Sequence, residues 1–188
     1  EDLFKKVTTL ADGKNHGLVF VLDWSGSMSD VLLDTCKQMF NLIWFCKKVN
    51  IPFEVYAFSN EWIRRSYGQD LELHYEEKEG LLAVDENFTM MNILTSKVNN
   101  KVLELQLKNI WRIAFTFSRK YYYAKYDVPA RMSLSGTPLN ESIVALHQIL
   151  PMFQRQNKLQ KVHCIILTDG EAGHLNRHVK IVPMKGDP

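Results

Sequence analysis

Leu18-Val-Phe-Val-Leu-Asp23-Trp-Ser25-Gly-Ser27 is the stretch on which the fold turns. The run from Leu18 to Leu22 is short and wholly apolar, and it ends in a carboxylate. It suits a strand buried on both faces, as in a parallel sheet. From Asp30 to Val49 the period changes. Leu32, Cys36, Met39, Ile43 and Cys46 fall on one helical stripe. Phe40 and Trp44 add a second, so the helix is expected to be covered on most sides. Asn50-Ile-Pro52 ends it, because proline disfavours helical backbone at the residue before it. Phe53 to Phe58 alternates and reads as the next strand. Strand, helix and strand with short links make a βαβ unit, which implies a parallel pair and a right-handed crossover.

The pattern returns near the other end of the chain. Leu139, Ile143, Leu146, Leu150 and Phe153 repeat at helical spacing, with Pro138 at a first-turn position. Lys161-Val-His-Cys-Ile-Ile-Leu-Thr-Asp169 is again a buried strand running into an aspartate, and Gly170 permits a sharp turn after it. Between these blocks, Leu71 to Tyr75 is read as an edge strand and Leu103 to Phe117 as a helix. Glu76 to Asn100 is mixed and charged, and Tyr121 to Met132 is read as a polar, aromatic loop.

Bulk properties narrow the function classes. The 188 residues are 46% hydrophobic and 23% charged, with a net charge of +2, which fits one soluble α/β domain. No global field draws the chain to nucleic acid or a membrane, and no apolar run approaches the ~20 residues of a membrane span. The first residues, Glu1-Asp2-Leu3-Phe4, lack both a signal-peptide core and an initiator Met, which points to a piece of a longer chain. Cys36, Cys46 and Cys164 form no disulfide pattern. Each lies in an apolar stretch and reads as a small buried hydrophobe of a reduced, cytoplasmic protein.

Both buried strands deliver an aspartate to their carboxyl ends, the edge where open α/β sheets bind ligands. Asp23, Ser25 and Ser27 alternate in an extended turn and can point the same way, with Gly26 keeping the backbone tight. One carboxylate and two hydroxyls are hard oxygen donors, suited to Mg²⁺, Ca²⁺ or Mn²⁺. Thr137 and Asp169 would complete the set. The bland alternative makes Asp23, Ser25 and Ser27 a turn capping the next helix, and Thr137 the cap of its own helix.

Asp23-Trp-Ser25-Gly-Ser27, the threonine of Gly136-Thr137-Pro138-Leu139 and the strand end Thr168-Asp169-Gly170 together resemble the metal-ion-dependent adhesion site (MIDAS) of von Willebrand factor A (VWA) domains. The resemblance spans Leu18 to Gly173. It implies a three-layer α/β/α, Rossmann-like domain with a mostly parallel sheet and one antiparallel edge strand. It also implies a cation, Mg²⁺ or else Mn²⁺ or Ca²⁺, on Asp23, Ser25, Ser27, Thr137 and Asp169. A Glu or Asp of a protein partner would fill the open position, and the domain itself would be non-catalytic. Trp24, Gly26, Asp30, Gly136, Gly170 and Glu171 would support the site or form its rim. Gly136-Thr-Pro-Leu-Asn-Glu141 further resembles the A-type domain of cobaltochelatase subunit CobT and of related phage-encoded proteins, which implies an AAA+ ATPase partner. The chain departs from the family pattern in two places. Only Val179 to Val182 offers a further strand after Asp169, and the stretch 76–132 reads as an insertion.

Competing chemistries are carried by other residues. Glu171 could serve as the base of a metal-dependent hydrolase, though a surface Glu is the plainer reading. His174 and His178 share zinc-like spacing without a third ligand. Arg119-Lys-Tyr-Tyr-Tyr-Ala-Lys-Tyr126 with Arg131 mixes bases and aromatics as single-stranded nucleic-acid sites do, but the balanced charge argues against nucleic acid.

Overall fold

Strand β1 (His16–Asp23) lies at the heart of the sheet, and from Val19 to Asp23 it is wholly buried. In the computed structural model, which describes residues 15–61, 78–84, 87–118, 126–170 and 172–177, it pairs in parallel with β2 (Phe53–Ser59) and with β5 (Lys161–Leu167). β4 (Thr89–Thr95) runs antiparallel on the outer side of β2, which gives the order β4-β2-β1-β5. The expected sheet, mostly parallel with one antiparallel edge strand, is therefore present. The described edge strand is β4; the stretch Leu71 to Tyr75 lies outside the described residues, as does Val179 to Val182.

Alternation of side chains builds the layers. Phe20, Leu22, Val55 and Ala57 project from one face of the sheet onto α1 (Leu32–Lys48) and α2 (Asn100–Phe117). Val19, Val21, Tyr56 and Phe58 project from the other onto Leu146 and Phe153 of α3 (Leu139–Gln156). Each fully buried Phe or Leu removes enough apolar surface to stabilise the fold by about 1.5–3 kcal/mol before entropy is counted. No helix among the described residues is long and apolar enough to cross a membrane.

α1 buries the stripe read from its sequence, Leu32, Cys36, Met39, Ile43 and Cys46. It ends at Asn50, whose φ of 57° takes the left-handed position that closes helices. The second stripe is a correction. Phe40 is only half-buried and Trp44 is 40% exposed, because α2 covers one flank of α1 incompletely. On α3, similarly, Ile143 turns outward at 42% exposure while Leu146 and Phe153 are buried. The stretch 76–132 supplies β4 and α2, both integral to the sheet and its covering layer.

Cys36 and Cys46 are buried free thiols and Cys164 is half-buried. Burial alone pushes the Cys36 thiol up to about 12.

Candidate metal centre

The parallel strands β1, β2 and β5 all end at the same edge, and three loops meet there. The loop after β1 is stitched to the loop before α3. Ser25 and Ser135 form a parallel bridge, Gly26 N donates to Ser135 O at 2.7 Å, and Ser135 N donates to Trp24 O at 3.3 Å. The loop after β2 joins from the side: Asn60 Oδ1 accepts the Gly136 amide at 2.8 Å, and Glu61 Oε2 accepts the Ser133 amide at 3.0 Å. Backbone pairing thus carries Thr137 to the serine loop.

The oxygens then form two chains. Ser25 Oγ and Ser27 Oγ are 3.0 Å apart, and Ser27 Oγ donates to Asp169 Oδ1 at 2.9 Å. Thr168 Oγ1 donates to Asp23 Oδ2 at 2.6 Å and accepts the Gly170 amide at 3.1 Å. Gly170 sits between the two remaining donors: a methyl there would stand 3.4 Å from Thr137 Oγ1 and 3.8 Å from Asp23 Oδ2. Asp23 and Ser25 are buried, Thr137 is half-buried, and Ser27 and Asp169 are exposed. The set is closed toward the core and open toward solvent.

One carboxylate oxygen of the set is left over. Asp23 Oδ1 is buried and accepts no hydrogen bond. A buried acceptor without a donor costs about 1–3 kcal/mol, and more when charged. Backbone pairing holds it in place. A cation or a water could satisfy it. Among the described residues no three His, Cys, Asp or Glu side chains cluster, so a cation here would rest on two carboxylates and hydroxyls, a hard-oxygen set.

The capping alternative does not hold. The residue before the 3-10 turn Ser27–Asp30 is Gly26, and the one before α1 is Val31; neither carries a side-chain cap. The cap position of α3 falls on Pro138, one residue past Thr137. The serines and the threonine are therefore not consumed by helix ends.

The other named residues separate. Trp24 is fully buried, donates from Nε1 to Met132 O at 2.7 Å and sets its ring edge on Phe117. It is a packing anchor beneath the loop, not an exposed rim. Gly26 and Gly136 are exposed beside the cluster, and Asp30 ends the 3-10 turn facing solvent. Glu171, His178 and residues 119–125 lie outside the described residues. His174 is exposed. Sequence reasoning missed Asn60, Glu61 and Thr168. The signal was available, since β2 ends at the same edge as β1 and its first residues beyond the strand are polar.

Comparison with protein-family models, curated proteins and solved structures returns no match. The class is defined by the molecule itself: a mixed α/β domain, with a mostly parallel sheet flanked by helices, that gathers hydroxyl and carboxylate oxygens at the carboxyl edge of its strands.

Proposed function

We propose that this chain is a VWA-type domain whose MIDAS-like cluster holds a divalent cation, Mg²⁺ in the first place or else Mn²⁺ or Ca²⁺, and uses it to grip a Glu or Asp of a protein partner. The observation that carries the reading is the buried, unpartnered Asp23 Oδ1 at the end of β1, two residues before Ser25, whose hydroxyl is joined to that of Ser27. Asp23 and Asp169 would neutralise the dication, and Ser25, Ser27 and Thr137 would offer neutral oxygens. Few protein oxygens plus water is the usual surrounding of Mg²⁺. An incompletely filled dication draws a carboxylate strongly, so partner binding would depend on the metal. Asn60 and the Gly26–Ser135 pairing hold the donors in place.

The finer reading places the domain in a chelatase-like assembly with an AAA+ ATPase, on the strength of the segment Gly136 to Glu141. The chain's own part is recognition, with no chemistry assigned to it.

Calorimetric titration of Mg²⁺ and Mn²⁺ tests the site. Binding to the wild type and none to a folded Asp23→Ala/Asp169→Ala variant is expected. Equal binding to both, or none to either, would remove the metal from the proposal.

A further inference from the structure

Thr137, at one side of the oxygen cluster, also lines a groove of about 560 Å³, bounded by Asn60, Glu141, Val84, His174 and Asn176. Its outer wall is built, not incidental. β3 (Leu82–Ala83) pairs antiparallel with β6 (Asn176–Arg177), and Asn140 Nδ2 ties that wall to α3 by donating to Gly173 O at 2.6 Å. A second hollow of about 380 Å³ continues along α3. It shares Val84 and Glu141 with the first and adds the apolar Phe88, Ile149 and Met152. The groove therefore runs from the oxygen cluster, past a carboxylate, onto an apolar floor.

Among the described residues Glu141 is the charged residue that both hollows share. Among the described residues no Lys or Arg lines either hollow, and Glu141 makes no ion pair. Val84 and Met152 are each 43% exposed, so the floor is open to an occupant.

We infer that this groove reads one extended segment of a protein partner, with an acid for the metal, a Lys or Arg for Glu141 and a large apolar side chain for the floor. The proposal rests on the metal reading above and deepens it. Continuity with the oxygen cluster fixes where the segment starts, and charge complementarity fixes its second group. Glu141 also repels a segment that carries acids alone, which gives selectivity as well as attraction. Geometry sets the spacing. Glu141 lies two helical steps inside α3 and Thr137 two non-helical residues before its start, which separates them by roughly 6–9 Å, and Ile149 and Met152 lie roughly 12–16 Å beyond Glu141 at a helical rise of about 1.5 Å per residue. An extended chain advances about 3.3 Å per residue. The cation therefore falls about two or three residues from the acid, and the apolar residue about six to eight, in either chain direction. A first-turn Glu also suits the N-terminus of α3, but that role is blind to the partner's sequence.

A display library of random dodecapeptides, panned on the immobilised chain in Mg²⁺ and eluted with EDTA, tests this. The wild type is expected to enrich the acid–cation–apolar spacing. Glu141→Lys, shown to be folded by circular dichroism, should exchange the preferred cation for an acid. In anisotropy measurements, replacing the cation of a selected peptide by Glu should weaken wild-type binding at least tenfold and strengthen binding to Glu141→Lys. Met152→Glu should remove the apolar preference. EDTA-eluted peptides that share only an acid, or an unchanged selection with Glu141→Lys, would overturn the groove and leave the metal reading standing. Cation- and apolar-bearing peptides that resist EDTA would overturn the metal reading and uphold the groove. No enrichment by the wild type would overturn both.

Discussion

Asn60 Oδ1 accepts the Gly136 amide at 2.8 Å, so a side chain from the end of β2 fixes the loop that carries Thr137. The approach is close enough that a Cβ on Gly136 would stand 2.6 Å from that same oxygen. The residue before the threonine thus has to be glycine for the contact to exist.

Asn60→Ala should therefore loosen Thr137 without dismantling the sheet. Positioning groups around a metal are typically worth 10–100-fold in affinity. A loss of roughly tenfold in Mg²⁺ affinity is expected by calorimetry, with unfolding in urea changed by only about 1 kcal/mol. Gly136→Ala should reproduce the affinity loss. Unaltered Mg²⁺ binding in both variants would show that Asn60 only braces a loop.

The orphaned oxygen of Asp23 predicts opposite signs with and without metal. In EDTA, Asp23→Asn removes an unpaired buried charge and should be at least as stable as the wild type. With Mg²⁺ at a hundred times its Kd, mass action adds about 2.7 kcal/mol to the wild type alone. For a chain of 188 residues that is a rise in Tm of roughly 5–10 °C. Thermal scans in Mg²⁺ and in EDTA read both effects. Parallel shifts in the two proteins would sink the assignment of Asp23 as a ligand.

How far the sequence carried the reading depends on where each signal is local. β1 announces itself as a compact apolar run and β2 as an alternating one, and both are buried. α1 and α3 show their stripes for the same reason. β5 reads as a buried strand too, but it lies at the end of the described sheet order and is half-covered at best, so its expected burial is not met. β4 was missed because Thr89-Met-Met-Asn-Ile-Leu-Thr95 buries Leu94 alone, exposes Asn92 and leaves the rest half-covered, so its pairing with β2 is a tertiary fact. The bulge between Val55 and Tyr56 further blurs its register. Trp44 and Ile143 were assigned to buried stripes because periodicity gives a face but not what covers it. At the site, Asp23 and Asp169 were legible as strand ends. Asn60 and Glu61 were legible only as polar residues just past β2, and Thr168 only as part of a strand end, since their partners are groups of distant loops that only the sheet order brings near.

Trp24 holds the serine loop down from below. Trp24→Phe keeps most of the ring but leaves the Met132 carbonyl without its 2.7 Å donor. An unsatisfied group of this kind costs about 1–3 kcal/mol. Trp24→Ala should cost about 3–5 kcal/mol through the cavity it opens. Urea denaturation reads both, and a Phe variant as stable as the wild type would mean that water replaces the indole.

The alkaline limb of the stability curve should be steep, and its cause is specific. Tyr56 is pushed from its ordinary 10.0 up to about 12, first by burial and then by its hydrogen bond with Glu54. Tyr56 Oη donates to Glu54 Oε2 at 2.6 Å, and Lys97 Nζ holds the other oxygen at 3.0 Å. Cys36 is pushed from 9.0 to about 12 by burial alone. For both groups the folded state favours the protonated, neutral form. Their contribution is complete below the unfolded values and is lost as pH climbs from 9–10 toward 12. Tyr56→Phe removes the phenol and its bond to a carboxylate, so at pH near 8 it should be less stable by about 1.5–3 kcal/mol. As pH rises through the window the wild type loses that advantage and the two curves converge. Urea titrations at steps through the window test this. A gap that stays constant into strong alkali would mean that the Tyr56 phenol titrates alike in the folded and unfolded chains.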